Sequence, residues 1–461
     1  MTEGPIRILV PSGSLGSGVR ETEVRRGIEL GAHAIATDAG STDSGAAYLA
    51  LGISKNDRGA VKRDLAILLQ AGAAAGIPVI IGTAGQAGGD LNVDWTRDIA
   101  LEIARERGLS PRIALLYSEQ DKATLKALNA AGRIRPLPPL GPLEDATIDG
   151  CDHIVAAMGP EPYVAALQAG ASVIIGGRTT DTAVLACFAL MHGMDAGAAW
   201  HAAKIAECGS QCTVRPADGA GVLVTIGTDG FEVEPLNPAN RCDPHSVSAH
   251  MLYENANPFR LTEPGGVLDV THARYVALDD RRVRVTGSVW EPQPYTMKLE
   301  GASRGRYQTV MLIGIQDPEV LSRLDEFHDR MLGALYERAR RSLGPEAGDF
   351  HLSLRLYGWN AVSGDRPPPG TPPPREVGVL FVATAETQAL ATRIAKACNA
   401  WFFHFPIVAD QELPSYGFAF TPADIERGPV FEFRLNHVVA VDDAMQLVRT
   451  AWIDLREGAA A

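Results

Sequence analysis

The chain has little cysteine, few aromatic residues, a deficit of basic charge and no long uninterrupted apolar run. Its 461 residues contain 6 cysteines, Cys151, Cys187, Cys208, Cys212, Cys242 and Cys398. That scatter is too sparse for a disulfide scaffold, and Cys208 with Cys212 has no second pair nearby to complete a structural zinc site. Lys and Arg number 42 against 55 Asp and Glu, a net charge of −13, the wrong sign for unspecific binding to nucleic acid or anionic membrane. A local basic pocket for an anionic ligand stays open. No stretch approaches the ~20 apolar residues of a membrane span, and the first residues lack the basic and apolar regions of a secretory signal. The expectation is a cytoplasmic protein with reduced thiols, without nucleic-acid or membrane partners. A homo-oligomer is also expected.

What is present is a globular composition, 46% hydrophobic, on a chain too long for one ordinary core. Short apolar runs at 6–11, 33–37, 78–82, 112–117, 153–157 and 172–175 alternate with amphipathic stretches of helical period. That alternation predicts an α/β domain over 1–215, a mostly parallel, doubly wound sheet with flanking helices. A β-rich middle region is expected over 216–344, with helices at 246–255 and 318–343. An α+β domain follows over 345–461, its Pro-rich segment 365–375 excluded from any central strand.

In open α/β sheets ligands bind beyond the carboxyl ends of the strands, so the residues after each predicted strand matter most. The first strand runs into Ser12, Gly13, Ser14, Leu15, Gly16, Ser17 and Gly18 before a helix. This loop reads as an anion cradle, as a nucleotide site with Asp38 on the ribose, or as a plain tight turn. The second strand ends in Asp38 and a loop with Ser41, Thr42, Asp43 and Ser44 between glycines. These residues suit hydrogen bonding to a polar substrate, or a hard cation such as Mg²⁺ or Mn²⁺ on Asp38 and Asp43. Later strand ends carry Glu119 and Lys122 as acid/base candidates, and Arg178, Thr179 and Asp181 opening a helix. Arg178 offers a planar fork for a substrate carboxylate, or forms a structural bridge to Asp181 or Asp43. Candidates of lesser weight are Cys208 as a thiol nucleophile, His250 with Glu254 one helical turn on, and the strand-borne Lys298, Glu300, Asn436 and His437.

Taken in order, the segments 9–17, 38–45, 117–122, 176–182, 205–208, 249–258, 295–301 and 436–439 resemble the bacterial acyclic terpene utilisation (AtuA-like) family over about residues 5 to 445. The Gly-Ser-Thr-Asp-Ser-Gly loop is similar to one branch of it, distinct from the terpene-operon members. The resemblance implies catabolism of carboxylic acids or their acyl-CoA esters, and a small ferredoxin-fold domain paired with or fused to the main one. It carries no residue-level mechanism. Read together, Asp38, Asp43, Glu119 and Arg178 at strand ends point to an enzyme that moves a proton next to a carbonyl, as a hydratase, lyase or isomerase does. A non-catalytic ligand-binding subunit and a nicotinamide-dependent oxidoreductase are the competing readings.

Overall fold

The computed structural model describes residues 4–407 and 412–456. It comprises two compact units, Met1–Ser303 with Glu432–Ala461, and Arg304–Phe431.

The first unit is built on strands β1 (Ile6–Val10), β2 (Ala34–Asp38), β3 (Val79–Gly82), β4 (Arg112–Tyr117), β5 (Ile134–Pro136), β6 (His153–Ala156), β7 (Val173–Gly176), β8 (Val222–Ile226) and β9 (Gly230–Pro235). β2, β3 and β7 are buried at every position, and β1 at all but one, as strands covered on both faces must be. The parallel block runs β1-β2-β3-β7-β4. Antiparallel strands extend it on both sides, β8, β9, Val283–Thr286 and Arg274–Ala277 beyond β1, and Arg449–Asp454 beyond β4.

Successive strand residues point to opposite faces, and the two faces have separate cores. Leu9, Ile35, Ile81, Leu115 and Ile175 meet Val24, Leu65, Ile99 and Ile103, from the helices Glu21–Glu29, Arg58–Ala75 and Asp90–Arg107. Ile8, Ala36, Ile80, Ala114 and Ile174 meet Tyr163, Val184 and Trp200, from the helices Glu161–Gln168, Asp181–Met191 and Ala196–Ala206. The chain therefore leaves β3 toward one face and its sheet neighbour β7 toward the other. Strand-end loops that part in this way open the crevice where α/β sheets place ligands.

Two features differ from the sequence expectation. The apolar run 153–157 suggests a strand of the parallel sheet; instead β6 pairs antiparallel with Leu299–Ala302, at the start of the strand Thr296–Ile315. Four apolar residues specify a strand without specifying its partner. The boundaries at 215 and 344 are also not those of the compact units. β8 pairs with β1 residue for residue from Ile6↔Ile226 to Val10↔Val222, which draws the early middle region into the main sheet.

The longer elements of the second unit run strand, helix, strand, strand, helix, strand, as Thr296–Ile315 (from Arg304 onward), Leu324–Leu343, Phe350–Tyr357, Val377–Ala385, Gln388–Cys398 and Ile425–Ala440 (up to Phe431), with the short helices Pro318–Leu321 and Trp401–His404 and the short strand Gly417–Phe418 between them. The helix expected to close the middle region thus belongs here. It buries Phe327, Met331, Leu335 and Ala339, a four-residue spacing that keeps one stripe toward the core. Val377–Ala385 alternates buried and half-buried positions, as a sheet covered on one face does. Residues 365–375 form an exposed connection without helix or strand.

Candidate functional site

The loops after β2, β3 and β7 are locked together by main-chain contacts. Thr83 N and Ala84 N donate to Gly177 O and Gly176 O at 3.1 and 2.9 Å, and Arg178 N donates to Gly88 O at 3.0 Å. A Cβ on Gly88 would sit 2.2 Å from Arg178 N, and one on Gly40 2.3 Å from Gln86 Cα; side chains there would force the loops apart. Thr83 and Gln86 hold positive φ angles of 44° and 88°, costly for a β-branched threonine. Their side chains offset that cost. Thr83 Oγ1 donates to Thr179 O at 3.1 Å, and Gln86 Nε2 donates to Ser41 O and Ser44 Oγ at 2.9 Å each.

Arg178 lies at the centre, 8% exposed. Its Nε donates to Glu300 Oε2 at 2.8 Å, and its Nη1 to Thr179 O at 2.8 Å, with Asp181 Oδ1 at 3.4 Å. Glu300 accepts in turn from Thr42 Oγ1 at 2.7 Å and pairs with Lys298 Nζ at 2.8 Å. Burial opposes the charge on Glu300, but Arg178 and then Lys298 overcome it and bring the carboxyl down to about 2. The fork expected to grip a substrate carboxylate is thus engaged by a carboxylate of the protein itself. Of the bridges expected for Arg178, the one to Asp181 is present and the main partner is Glu300.

Asp38 is 5% exposed. Its Oδ2 accepts from Gly40 N at 3.0 Å, while Oδ1 is buried without a partner. Burial first, and then the nearby Asp181, push its carboxyl well above the ordinary range despite Arg178. Burial and then Asp43 raise Asp181 in the same way, against Arg178. Asp43 itself is exposed and accepts from Ser41 Oγ at 2.9 Å. Glu263 joins this group through Thr182, whose Oγ1 donates to Glu263 Oε1 at 2.7 Å. Glu263 Oε2 is sealed from solvent without a partner, and burial pushes this carboxyl up to about 7.

Beside Asp181 stands a second cluster. Lys204, on the last turn of Ala196–Ala206, donates to Glu207 across one turn. Burial and the neighbouring Asp181 push Glu207 up to about 8 against the pull of Lys204. One ligand atom each of Glu207, Cys208 and His250 lie within 4.8 Å of one another. Burial, and then Glu207, raise the Cys208 thiol far above its ordinary value, the opposite of what a nucleophilic cysteine needs. The expected helix 246–255 ends at Ala249, and a 3₁₀ turn His250–Leu252 follows. Glu254 adopts φ 55° beyond that turn, so His250 and Glu254 do not share a helical face.

Other candidates are engaged elsewhere. Ser12 Oγ donates to Ser14 O at 3.0 Å, and a Cβ on Gly13 would meet the Cys208 backbone at 2.9 Å. The amides of Gly16 and Gly18 donate to Asp64 Oδ2 at 3.0 and 2.9 Å, so a buried carboxylate of the protein holds the donors a cradle would offer to an anion. Glu119 pairs with His153 Nδ1 at 2.6 Å and accepts from Asp90 N at 2.8 Å. Lys122 Nζ donates to Asp149 O and Cys151 O. His437 Nε2 lies 3.1 Å from Gly141 O, and Asn436 Oδ1 is buried without a partner.

Sequence reasoning misses Thr83, Gln86, Lys204, Glu207 and Glu263. Thr83 and Gln86 carry a usable signal, since they stand just past β3 at the carboxyl edge. Glu263 carries none, because it reaches Thr182 from the separate small sheet formed by Arg260–Glu263, Gly266–Asp269 and Val289–Pro292.

Fold and site together define an α/β protein with a buried, acid-rich polar centre at the carboxyl edge of its parallel strands. The chain matches the family model described as acyclic terpene utilisation family protein AtuA over residues 57–218 and 231–416, and it belongs to that family. No curated protein and no solved structure matches it. Arg178, Asp181, Glu207, Cys208, His250, Glu263 and Glu300 fall within the matched residues, and Asp38 and Asp43 before them. No helix among the described residues is long and apolar enough to cross a membrane.

Proposed function

We propose that the protein is an enzyme acting on a small carboxylic acid or its acyl-CoA ester, moving a proton at the carbon next to the carbonyl, as a hydratase, lyase or isomerase does. The family name makes acyclic isoprenoid acids and their thioesters the first substrates to try. The observation that carries the reading is Asp38, a carboxyl at the strand edge with one oxygen buried and unpartnered and raised above the ordinary range by burial. A carboxyl raised in this way holds its proton more tightly than an ordinary aspartate, which suits it to proton transfer with a substrate carbon. Arg178, fixed by Glu300, supplies positive charge beside Asp38. That charge favours the enolate-like oxygen that develops when a proton leaves the adjacent carbon. A nicotinamide reading finds less support, because Gly16 and Gly18 are turned to Asp64.

The test is solvent-deuterium exchange. The full chain is incubated in D₂O with a panel of acyclic branched acids and their CoA esters, and deuterium next to the carbonyl is read by mass spectrometry. Exchange is expected with at least one thioester, and Asp38→Asn should slow it by about 10²–10⁴-fold while circular dichroism shows the fold intact. Exchange at an unchanged rate in Asp38→Asn, or none with any compound, defeats the proposal.

A further inference from the structure

Glu207, Cys208 and His250 bring a carboxylate, a thiol and an imidazole together within 4.8 Å. Glu207 and Cys208 follow directly on the helix Ala196–Ala206, and His250 opens the 3₁₀ turn His250–Leu252. His250 is 5% exposed, and its Nε2 is buried without a hydrogen-bond partner. A buried imidazole nitrogen left without a partner costs about 1–3 kcal/mol, and His250 stands in a cluster whose other two members are also metal-ligand types. We propose that Glu207, Cys208 and His250 form a binding site for a divalent transition metal of the zinc class.

The donor set selects the ion. Thiolate and imidazole favour Zn²⁺ or Co²⁺ over Mg²⁺ and Mn²⁺, which prefer oxygen alone. Bonds of about 2.0–2.3 Å in a tetrahedron require donors about 3.3–3.8 Å apart, so atoms now within 4.8 Å of one another need to close in by no more than about 1.5 Å. Three protein ligands leave the fourth position for water or a substrate oxygen, the arrangement of catalytic rather than structural zinc. Binding replaces the Cys208 thiol proton, and the proton on the raised Glu207 carboxyl, with bonds to the metal and releases both to solvent. Two charges on the ion then meet the thiolate and the Glu207 carboxylate, with the Lys204 ammonium as the one further charge at the carboxylate. Lys204, which donates to Glu207 Oε1, holds a positive charge at this carboxylate in the present state. This ligand set is separate from Asp38 and Asp43, the pair the sequence suggests for a hard cation.

Cobalt titration of the full chain, stripped of metal by a chelator, tests the site. One equivalent of Co²⁺ should bind and develop a thiolate-to-cobalt charge-transfer absorption. Cys208→Ser should abolish that absorption, and His250→Ala should weaken binding at least about tenfold. If either variant fails to fold, the unsubstituted protein still decides: Co²⁺ should protect Cys208 from iodoacetamide, read by peptide mass spectrometry. No absorption at millimolar Co²⁺, absorption unchanged in Cys208→Ser, or Cys208 alkylated equally with and without Co²⁺ overturns the proposal. None of these readouts depends on proton exchange at Asp38.

Discussion

Among the described residues of Arg304–Phe431, Thr309 is the one fully buried polar side chain, set in a unit whose core is Phe327, Met331, Phe381, Ile394 and Phe402 with their apolar neighbours. The unit built on the parallel sheet instead buries Glu23, Asp38, Asp64, Arg178, Lys204, Glu207 and Glu300. Taking such groups out of water costs several kcal/mol each unless partners restore what is lost. A protein that needed only a core would build both units like the apolar one. The difference makes the sheet unit the place to test for the proposed chemistry, because perturbed buried charges cluster at functional sites.

The largest effects test whether the two cores fail differently. Arg178→Met should destabilise the sheet unit by about 3–5 kcal/mol, because it leaves Glu300 buried without its main partner. Adding Glu300→Met should recover most of that loss, since an apolar pair replaces an ion pair at little net cost. Phe381→Ala should cost a similar ~3–5 kcal/mol through the cavity it leaves, without altering deuterium exchange or cobalt binding. Urea unfolding followed by tryptophan fluorescence measures all of these. Failure of the Arg178→Met/Glu300→Met double variant to recover would show that the pair contributes more than mutual neutralisation.

A smaller effect is expected at the first loop. Asp64→Ala removes the acceptor for the amides of Gly16 and Gly18 and should cost about 2 kcal/mol, with the Ser12–Gly18 loop exchanging its amide hydrogens faster. If that loop instead draws its order from packing alone, hydrogen exchange will not change.

Glu263 gives an effect of the same order that depends on pH. Its folded value of about 7 stands above the ordinary 4.5, so the folded state holds the proton more tightly. Its contribution to stability is therefore full below about pH 4.5 and is lost as pH rises to about 7. Glu263→Gln escapes that loss and should be more stable than the parent by about 3 kcal/mol at pH 8, and equal to it at pH 4. Thermal melts at the two pH values measure this, and equal melts at pH 8 would mean that solvent reaches Oε2.

The smallest effect belongs to the surface of the other unit. Arg393 and Glu346 pair at 2.6 Å with side chains 55% and 69% exposed, and Arg393→Ala should change stability by less than about 0.5 kcal/mol. A larger loss in the same urea assay would mean that surface charge also matters to the unit with the apolar core.

Much of the sheet unit is legible in the sequence, for a local reason. Apolar runs such as Ile6–Val10 and Val173–Gly176 report their own burial, and the residues just past them must stand at the carboxyl edge. That rule alone brings Asp38, Arg178 and Asp181 to one edge of the sheet. The partner of Arg178 is not legible as such. Glu300 stands among the lesser candidates, but it lies 122 residues further along the chain, on a strand that does not join the parallel sheet. β6 pairs outside the sheet its sequence suggests, because four apolar residues satisfy either pairing. The stop at Ala249 is hidden because helical period continues through His250 and Glu254, while the backbone turns away at Tyr253 and takes a positive φ at Glu254.

The sequence by itself determined the α/β class, the covered parallel strands, the exposure of 365–375 and the polar character of the strand ends, since hydrophobic period and backbone propensity act over a few residues. Only the tertiary structure decided that Glu300 holds Arg178, that Asp64 takes the amides of the first loop, that burial raises the Asp38 carboxyl, and that Glu207, Cys208 and His250 meet. Each of those depends on burial and on charges brought close by distant segments, and the energy of a buried charge is set by its surroundings in space.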